Sequence, residues 1–111
     1  MKVENGDAVV YDFDWYPAKA RSNLRKHGVS FRLATTVFRD PLAITLCDED
    51  HSDDEDRWVT LGHAETGRLI VVVHTWRWVG SAEVKVRIIS ARRADPGETR
   101  DYRDTPHQQR N

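Results

Sequence analysis

Two rhythms of apolar residues run along this chain, and the change from one to the other falls at Asp40-Pro41. Before that point the spacing is helical. Asp12-Phe13-Asp14-Trp15-Tyr16-Pro17 opens a helix, with Asp14 as N-cap and Pro17 in the first turn, where no intrahelical N–H partner is lost. The helix runs to about His27, burying Ala20 and Leu24 and presenting Lys19, Arg21, Arg25 and Lys26. Gly28 then fits the left-handed position that ends helices. Ser30 caps a second helix, in which Phe31, Ala34, Thr35 and Phe38 recur at i, i+3, i+4 and i+7 beside Val37. Asp40-Pro41 stops it.

Beyond Pro41 the period is two. Residues 43–47, 58–63, 69–77 and 83–92 read as strands. Glu65-Thr66-Gly67 joins the second to the third as a hairpin, and a loop around Gly80-Ser81 joins the third to the fourth. Ile70-Val71-Val72-Val73 is apolar on both faces, which places that strand inside the sheet. In the last strand Val84, Val86 and Ile88 alternate with Glu83, Lys85 and Arg87 until the pair Ile88-Ile89 breaks the pattern. Either both faces are buried there or a bulge re-aims the end of the strand. Asp95-Pro96-Gly97-Glu98 starts a short C-terminal helix through Tyr102. The expected fold is α+β: two N-terminal helices, a four-stranded antiparallel sheet and a short C-terminal helix. Residues 1–103 are expected to form one domain and 104–111 a flexible tail.

Composition narrows the class. A chain of 111 residues has room for one modest core. Its longest apolar run, Leu69 to Val73, is far short of the roughly 18 residues of a membrane helix. The N-terminus shows no apolar secretory segment, and the single Cys47 excludes an internal disulfide. A cytoplasmic protein with no membrane partner is expected.

The formal charge of −1 argues against a nucleic-acid partner only until it is divided along the chain. Asp48 to Asp56 hold seven of the 18 acids and no Lys or Arg, so the other 102 residues carry 17 basic against 11 acidic side chains. Most of the chain is basic, and one segment hides it. That segment is no calcium loop, since Asp53 and Val59 stand where an EF-hand needs Gly and Glu. It reads as a solvated loop that carries His51, Glu55 and Arg57. His27, His51, His63, His74, His107 and Cys47 show no ligand-pair spacing, and the glycines are scattered singly. No metal or cofactor is expected.

Five basic side chains, Arg77, Lys85, Arg87, Arg92 and Arg93, fall within 17 residues beside Trp76 and Trp78. Strands fix the direction of such side chains, and aromatic and guanidinium planes suit unstacked RNA bases. The alternative is a solvated strand whose aliphatic stems cover apolar neighbours. Lys26-His27-Gly28-Val29-Ser30 also has the look of a helix-turn-helix turn, although the second helix offers only Arg32 and Arg39 as base readers.

These segments together resemble the BrnT family of bacterial toxins, from type II toxin–antitoxin pairs with a RelE-like fold. The resemblance rests on Phe13-Asp14-Trp15, Lys19-Ala20, Asn23 and Lys26-His27-Gly28-Val29-Ser30-Phe31, followed by Ala34, Val37-Phe38 and Asp40-Pro41. It continues through Asp48, His51, Glu55, Arg57, Gly62, Thr75 and Arg77 to Arg87-Ile88-Ile89-Ser90-Ala91-Arg92-Arg93-Ala94, Glu98 and Tyr102. Arg32-Leu33 after the Ser-Phe pair, the Trp-rich stretch 76–79 and the N-terminal extension depart from the family pattern.

The resemblance implies a metal-independent endoribonuclease that cuts RNA until a BrnA-type antitoxin binds it, with operator DNA touched only through that antitoxin. It assigns Arg77, Arg87 and Arg92 to the scissile phosphate, where the planar, always-charged fork suits them. His51 and Glu55 are the acid/base candidates, Tyr102 is a reserve, and Lys26, His27 and Arg57 are RNA-backbone contacts. Strict alternation would put Arg87 and Arg92 on opposite faces unless Ile88-Ile89 marks a bulge. The competing reading is a non-enzymatic DNA-binding regulator or corepressor subunit.

Overall fold

In the computed structural model, which describes residues 1–4, 8–49 and 56–106, the first helix begins later than Asp14 would set it. Helix α1 spans Pro17–His27 and has Tyr16 as N-cap, with no side-chain cap. Asp14 instead ends a strand that the sequence reading leaves out. Gly28 closes α1 at φ 68°, its N–H bonded to the Leu24 carbonyl at 2.9 Å. Only Asn23 of α1 is buried, and Leu24, expected inside, is 51% exposed. The helix meets the sheet through a polar side chain in place of its leucine.

Helix α2 spans Phe31–Thr35, capped as expected by Ser30, whose Oγ accepts from the Leu33 N–H at 3.0 Å. It then tightens into a 3-10 turn, Thr36–Arg39. Thr35 and Thr36 donate their hydroxyls back to the Arg32 and Leu33 carbonyls, both at 2.7 Å, and such back-bonding competes with regular helix. Phe31, Ala34 and Thr35 of the stripe are buried with the neighbouring Val37, while Phe38 is half-buried against the same core.

The expected RelE-like arrangement of four antiparallel strands gives way, among the described residues, to seven strands with mixed pairing. They are β1 (Lys2–Glu4), β2 (Val10–Asp14), β3 (Ile44–Cys47), β4 (Trp58–His63), β5 (Leu69–His74), β6 (Arg77–Trp78) and β7 (Glu83–Arg93). The sheet order is β1-β2-β7-β5-β4-β3, with β6 also on β7. β2 runs parallel to β7, Tyr11 opposite Val84 and Phe13 opposite Val86. Such a pair joins distant parts of the chain, which local alternation does not report. The expected third strand divides because the chain leaves β7 after His74 and rejoins it at Arg77, opposite Lys85. β5 lies between β7 and β4, the interior place its two apolar faces demand.

Ladder pairing shifts between Val73, opposite Ser90, and His74, opposite Ile88, so Ile89 is an extra residue on β7. The bulge puts Val84, Val86, Ile88 and Ala91 on one buried face despite the change of parity. That face packs with Phe13, Ile70 and Val72 against Phe31, Ala34 and Val37. By the same register, Arg87 and Arg92 share the opposite face. This outer face is charged towards β2 and aliphatic towards β3.

Helix α3, Pro96–Asp104, starts on a capping box: Asp95 accepts from the Glu98 N–H at 2.7 Å, and Glu98 accepts from the Asp95 N–H at 2.9 Å. None of its residues is buried. No helix among the described residues is long and apolar enough to cross a membrane.

Candidate active site

The chain's departure from β7 at His74 builds a cavity. Thr75 holds the detour to the sheet, its N–H on the Arg87 carbonyl at 3.0 Å and its Oγ1 accepting from the Arg87 N–H at 2.9 Å. Arg77 then returns opposite Lys85, and Asp14 closes β2 opposite Arg87. These contacts line a cavity of about 550 Å³ with Arg77, Lys85 and Arg87, with Trp15, Tyr16 and Trp76, and with Asp14, Thr75 and Asp56.

Its electrostatics are uneven. Lys85 Nζ lies 3.6 Å from Asp12 Oδ2, so part of its charge is answered. The Arg87 guanidinium lies 5.3 Å from the centre of the Tyr16 ring, a cation–π distance, and that ring is 57% exposed. Arg77 is exposed and has no carboxylate partner among the described residues. Three cations around one hollow, with the exposed Tyr16 ring beside them, suit a phosphodiester and an unstacked base.

His74 supports the detour from inside. It is fully buried, and its Nδ1 donates to the Thr75 carbonyl at 2.7 Å. That fixes the neutral tautomer, with Nε2 accepting the Thr60 hydroxyl at 2.7 Å. Thr60 Oγ1 in turn lies 2.9 Å from the hydroxyl of Thr45. Burial lowers the His74 pKa to about 4, against a smaller opposing effect of the Thr75 carbonyl.

The other sequence-predicted residues fall elsewhere. Arg92 shares the outer face with Arg87 but sits five residues along β7, about 15 Å away at strand rise. Both its terminal nitrogens bond Glu98, at 2.7 and 2.8 Å. Tyr102 donates its hydroxyl to Asp40 Oδ2 at 2.6 Å, in a cluster with His63. Lys26 and His27 occupy the last turn of α1, while Tyr16 at its other end lines the cavity. Arg57 precedes β4 and follows Asp56 of the lining. His51 and Glu55 lie outside the described residues.

Sequence reasoning missed Asp14, Tyr16, Lys85, Thr75 and Asp56 as lining residues. Lys85 carried a signal through its place in the basic cluster, and Asp14 and Thr75 through the family resemblance. Tyr16 and Asp14 belong to the cavity because β2 pairs with β7, a contact between the two ends of the sequence. The helix-turn-helix reading loses its recognition helix: α2 has five residues, with Phe31, Ala34 and Thr35 buried in the body.

Residues 15–98 match the family described as "Ribonuclease toxin, BrnT, of type II toxin-antitoxin system". The chain belongs to the BrnT family. The matched span contains Arg77, Lys85, Arg87 and Arg92 but neither β1 nor β2. The structure is also similar to the crystal structure of the Brucella abortus ribonuclease toxin BrnT. That likeness is one of fold, at 23% identity and a TM-score of 0.53, covering 77% of this chain and 96% of that one. No curated protein matches the chain. As a BrnT family member, the chain belongs among the ribonuclease toxins of type II toxin–antitoxin systems.

Proposed function

We propose that this BrnT family chain is a metal-independent endoribonuclease whose active site is the cavity between β2, β6 and β7. The observation that carries this reading is the convergence of Arg77, Lys85 and Arg87 beside Tyr16 and Trp76. In the proposed reaction the 2′-OH attacks the adjacent phosphorus and loses its proton to a general base. The O2′–P bond forms as the P–O5′ bond breaks, and a general acid protonates the leaving oxygen. The products are a 2′,3′-cyclic phosphate and a 5′-hydroxyl. Arg77 and Arg87 stabilise the charge that builds on the non-bridging oxygens. DNA lacks the nucleophile and is spared.

His51 and Glu55 carry the proton transfers in this reading. It is supported by the covalent link of Glu55 to Asp56, which lines the cavity. Arg92 acts by holding Glu98 and α3, and Tyr102 remains a reserve proton donor. Lys26, His27 and Arg57 contact the RNA backbone. Residues 1–103 work as one domain in the cytoplasm, where a BrnA-type antitoxin silences the toxin and alone contacts operator DNA.

The test is cleavage of a defined RNA by the purified chain in EDTA. Cleavage should persist with chelator, leave a cyclic phosphate, and fail on a strand with 2′-deoxy substitution at the cut site. Arg77→Ala and Arg87→Ala should each lower kcat/KM by about 100-fold. Full activity in both variants would remove this cavity as the active site.

A further inference from the structure

Across the outer face from the cationic cavity lies a groove of different chemistry. Ile44 and Leu46 of β3, Val59 and Leu61 of β4 and Val71 of β5 form its floor, and α3 forms one wall with Asp101 and Asp104. The groove measures about 580 Å³. Leu46 on its floor is 65% exposed, in the edge strand β3, whose last three residues are all exposed. Such an aliphatic hollow is costly to leave in water.

Several occupants fail on chemistry. RNA is a polyanion, and neither aliphatic side chains nor the carboxylates of Asp101 and Asp104 attract it. The chain's own end, His107-Gln108-Gln109-Arg110-Asn111, follows Pro106 at the rim but contains no aliphatic residue to fill the floor. A second copy packed groove to groove would bring its own Asp101 and Asp104 to the same contact, a like-charge juxtaposition that costs affinity.

We infer that the groove is the docking site of the protein antitoxin, and that the segment it takes is amphipathic, apolar towards the floor and basic towards α3. This rests on the toxin reading above and adds to it the face that is used. The acidic wall sets the orientation: Asp104 already pairs with Arg103 at 3.3 Å, so Lys or Arg on the partner meets Asp101 first, along one edge only. Apolar anchors filling the hollow supply most of the affinity. An antitoxin held there lies on the same face of the sheet as Arg87, so it obstructs RNA without needing to contact either arginine of the cavity.

The probe is the BrnA-type protein encoded beside this chain's gene, purified and titrated against the full-length chain. Leu46→Glu puts a charge on an exposed position outside the catalytic cavity. It should weaken antitoxin binding by about 30-fold while RNA cleavage by the free toxin stays at the wild-type rate. Asp101→Lys with Asp104→Lys should weaken binding by about tenfold, with a flatter dependence on salt. Unchanged antitoxin affinity in both variants overturns the groove. So does a Leu46→Glu chain that loses RNA binding, or one that changes only from dimer to monomer. Failure of the wild-type chain to bind the probe overturns the antitoxin reading itself, separately from the choice of face.

Discussion

Asn23 shows how a single polar side chain can replace a strand. Its Nδ2 donates to the carbonyls of Val29 and Ala91, at 3.0 and 2.8 Å, and its Oδ1 accepts from the Ala91 N–H at 3.1 Å. β2 ends opposite Arg87, so the Ala91 backbone on that side of β7 would otherwise be buried without a partner. Asn23→Ala should therefore cost on the order of 3 kcal/mol in urea unfolding, well above a surface substitution. His74 makes a second prediction, with a definite sign. Its folded-state pKa of about 4 lies below the 6.5 of an exposed histidine, so the unfolded chain takes up the proton first. Its contribution to stability is complete above pH 6.5 and is lost as pH falls towards 4, by about 3 kcal/mol in all. Urea midpoints measured across that range should fall steadily, and His74→Gln should flatten the fall.

At the scale of elements, α3 is held to the body by few contacts. It buries no residue and is fastened by the Arg92–Glu98 pair and the Tyr102–Asp40 hydrogen bond. The hydrogen bonds of Arg92, with a smaller opposing effect of burial, hold the Glu98 carboxyl below its usual range. Burial pushes the Asp40 carboxyl up. Hydrogen bonds from the His63 N–H, the Tyr102 hydroxyl and the Leu42 N–H outweigh it, and its pKa too lies below the usual range. Carboxylates of this kind stabilise the fold above their unfolded pKa, and that stability is lost as pH falls through the lowered folded value. Amide exchange in α3 should accelerate in acid below about pH 4, ahead of exchange in β5 and β7. Tyr102→Phe combined with Arg92→Ala should reproduce the loosening at neutral pH, with exchange roughly fivefold faster in α3. Equal exchange in the double variant and the wild type would mean that other contacts hold the helix.

On the scale of the molecule, the sheet is completed by the first 14 residues, which lie outside the matched family span. β2 supplies Phe13, fully buried, and the Tyr11 ring that stacks 5.7 Å from it, while the N-terminal ammonium bonds the Phe13 carbonyl at 2.9 Å. Removing residues 1–14 should abolish cooperative thermal unfolding, since β7 then loses a ladder and the core a phenylalanine. Removing only residues 1–4 should leave a folded chain with a lower Tm. The charge division keeps its meaning at this scale. Asp56, at the end of the acidic segment, lines the cavity that Arg77 and Arg87 make cationic, so the two signs meet at the candidate site.

Legibility followed the range of the interaction. Gly28, Ser30 and the Asp95–Glu98 pair mark helix ends through contacts within four residues, and those ends lie where the sequence places them. Asp14 misleads because its local preference for capping lost to a ladder with residues about 70 positions away. Ile88-Ile89 announces a choice without making it; the partner strand decides, by setting His74 opposite Ile88. The basic cluster is visible as a run, yet its members separate into a cavity and a clasp according to which of them meets Glu98. By itself the sequence determined the α+β class, most element ends, the interior place of β5 and the basic character hidden by one acidic segment. Only the tertiary structure decided the parallel β2–β7 pair, the bulge that unites Arg87 and Arg92 on one face, and the aliphatic groove that shares that face with the cations. Local patterning fixes what each segment is. Which segments meet depends on burying the whole chain's apolar surface at once.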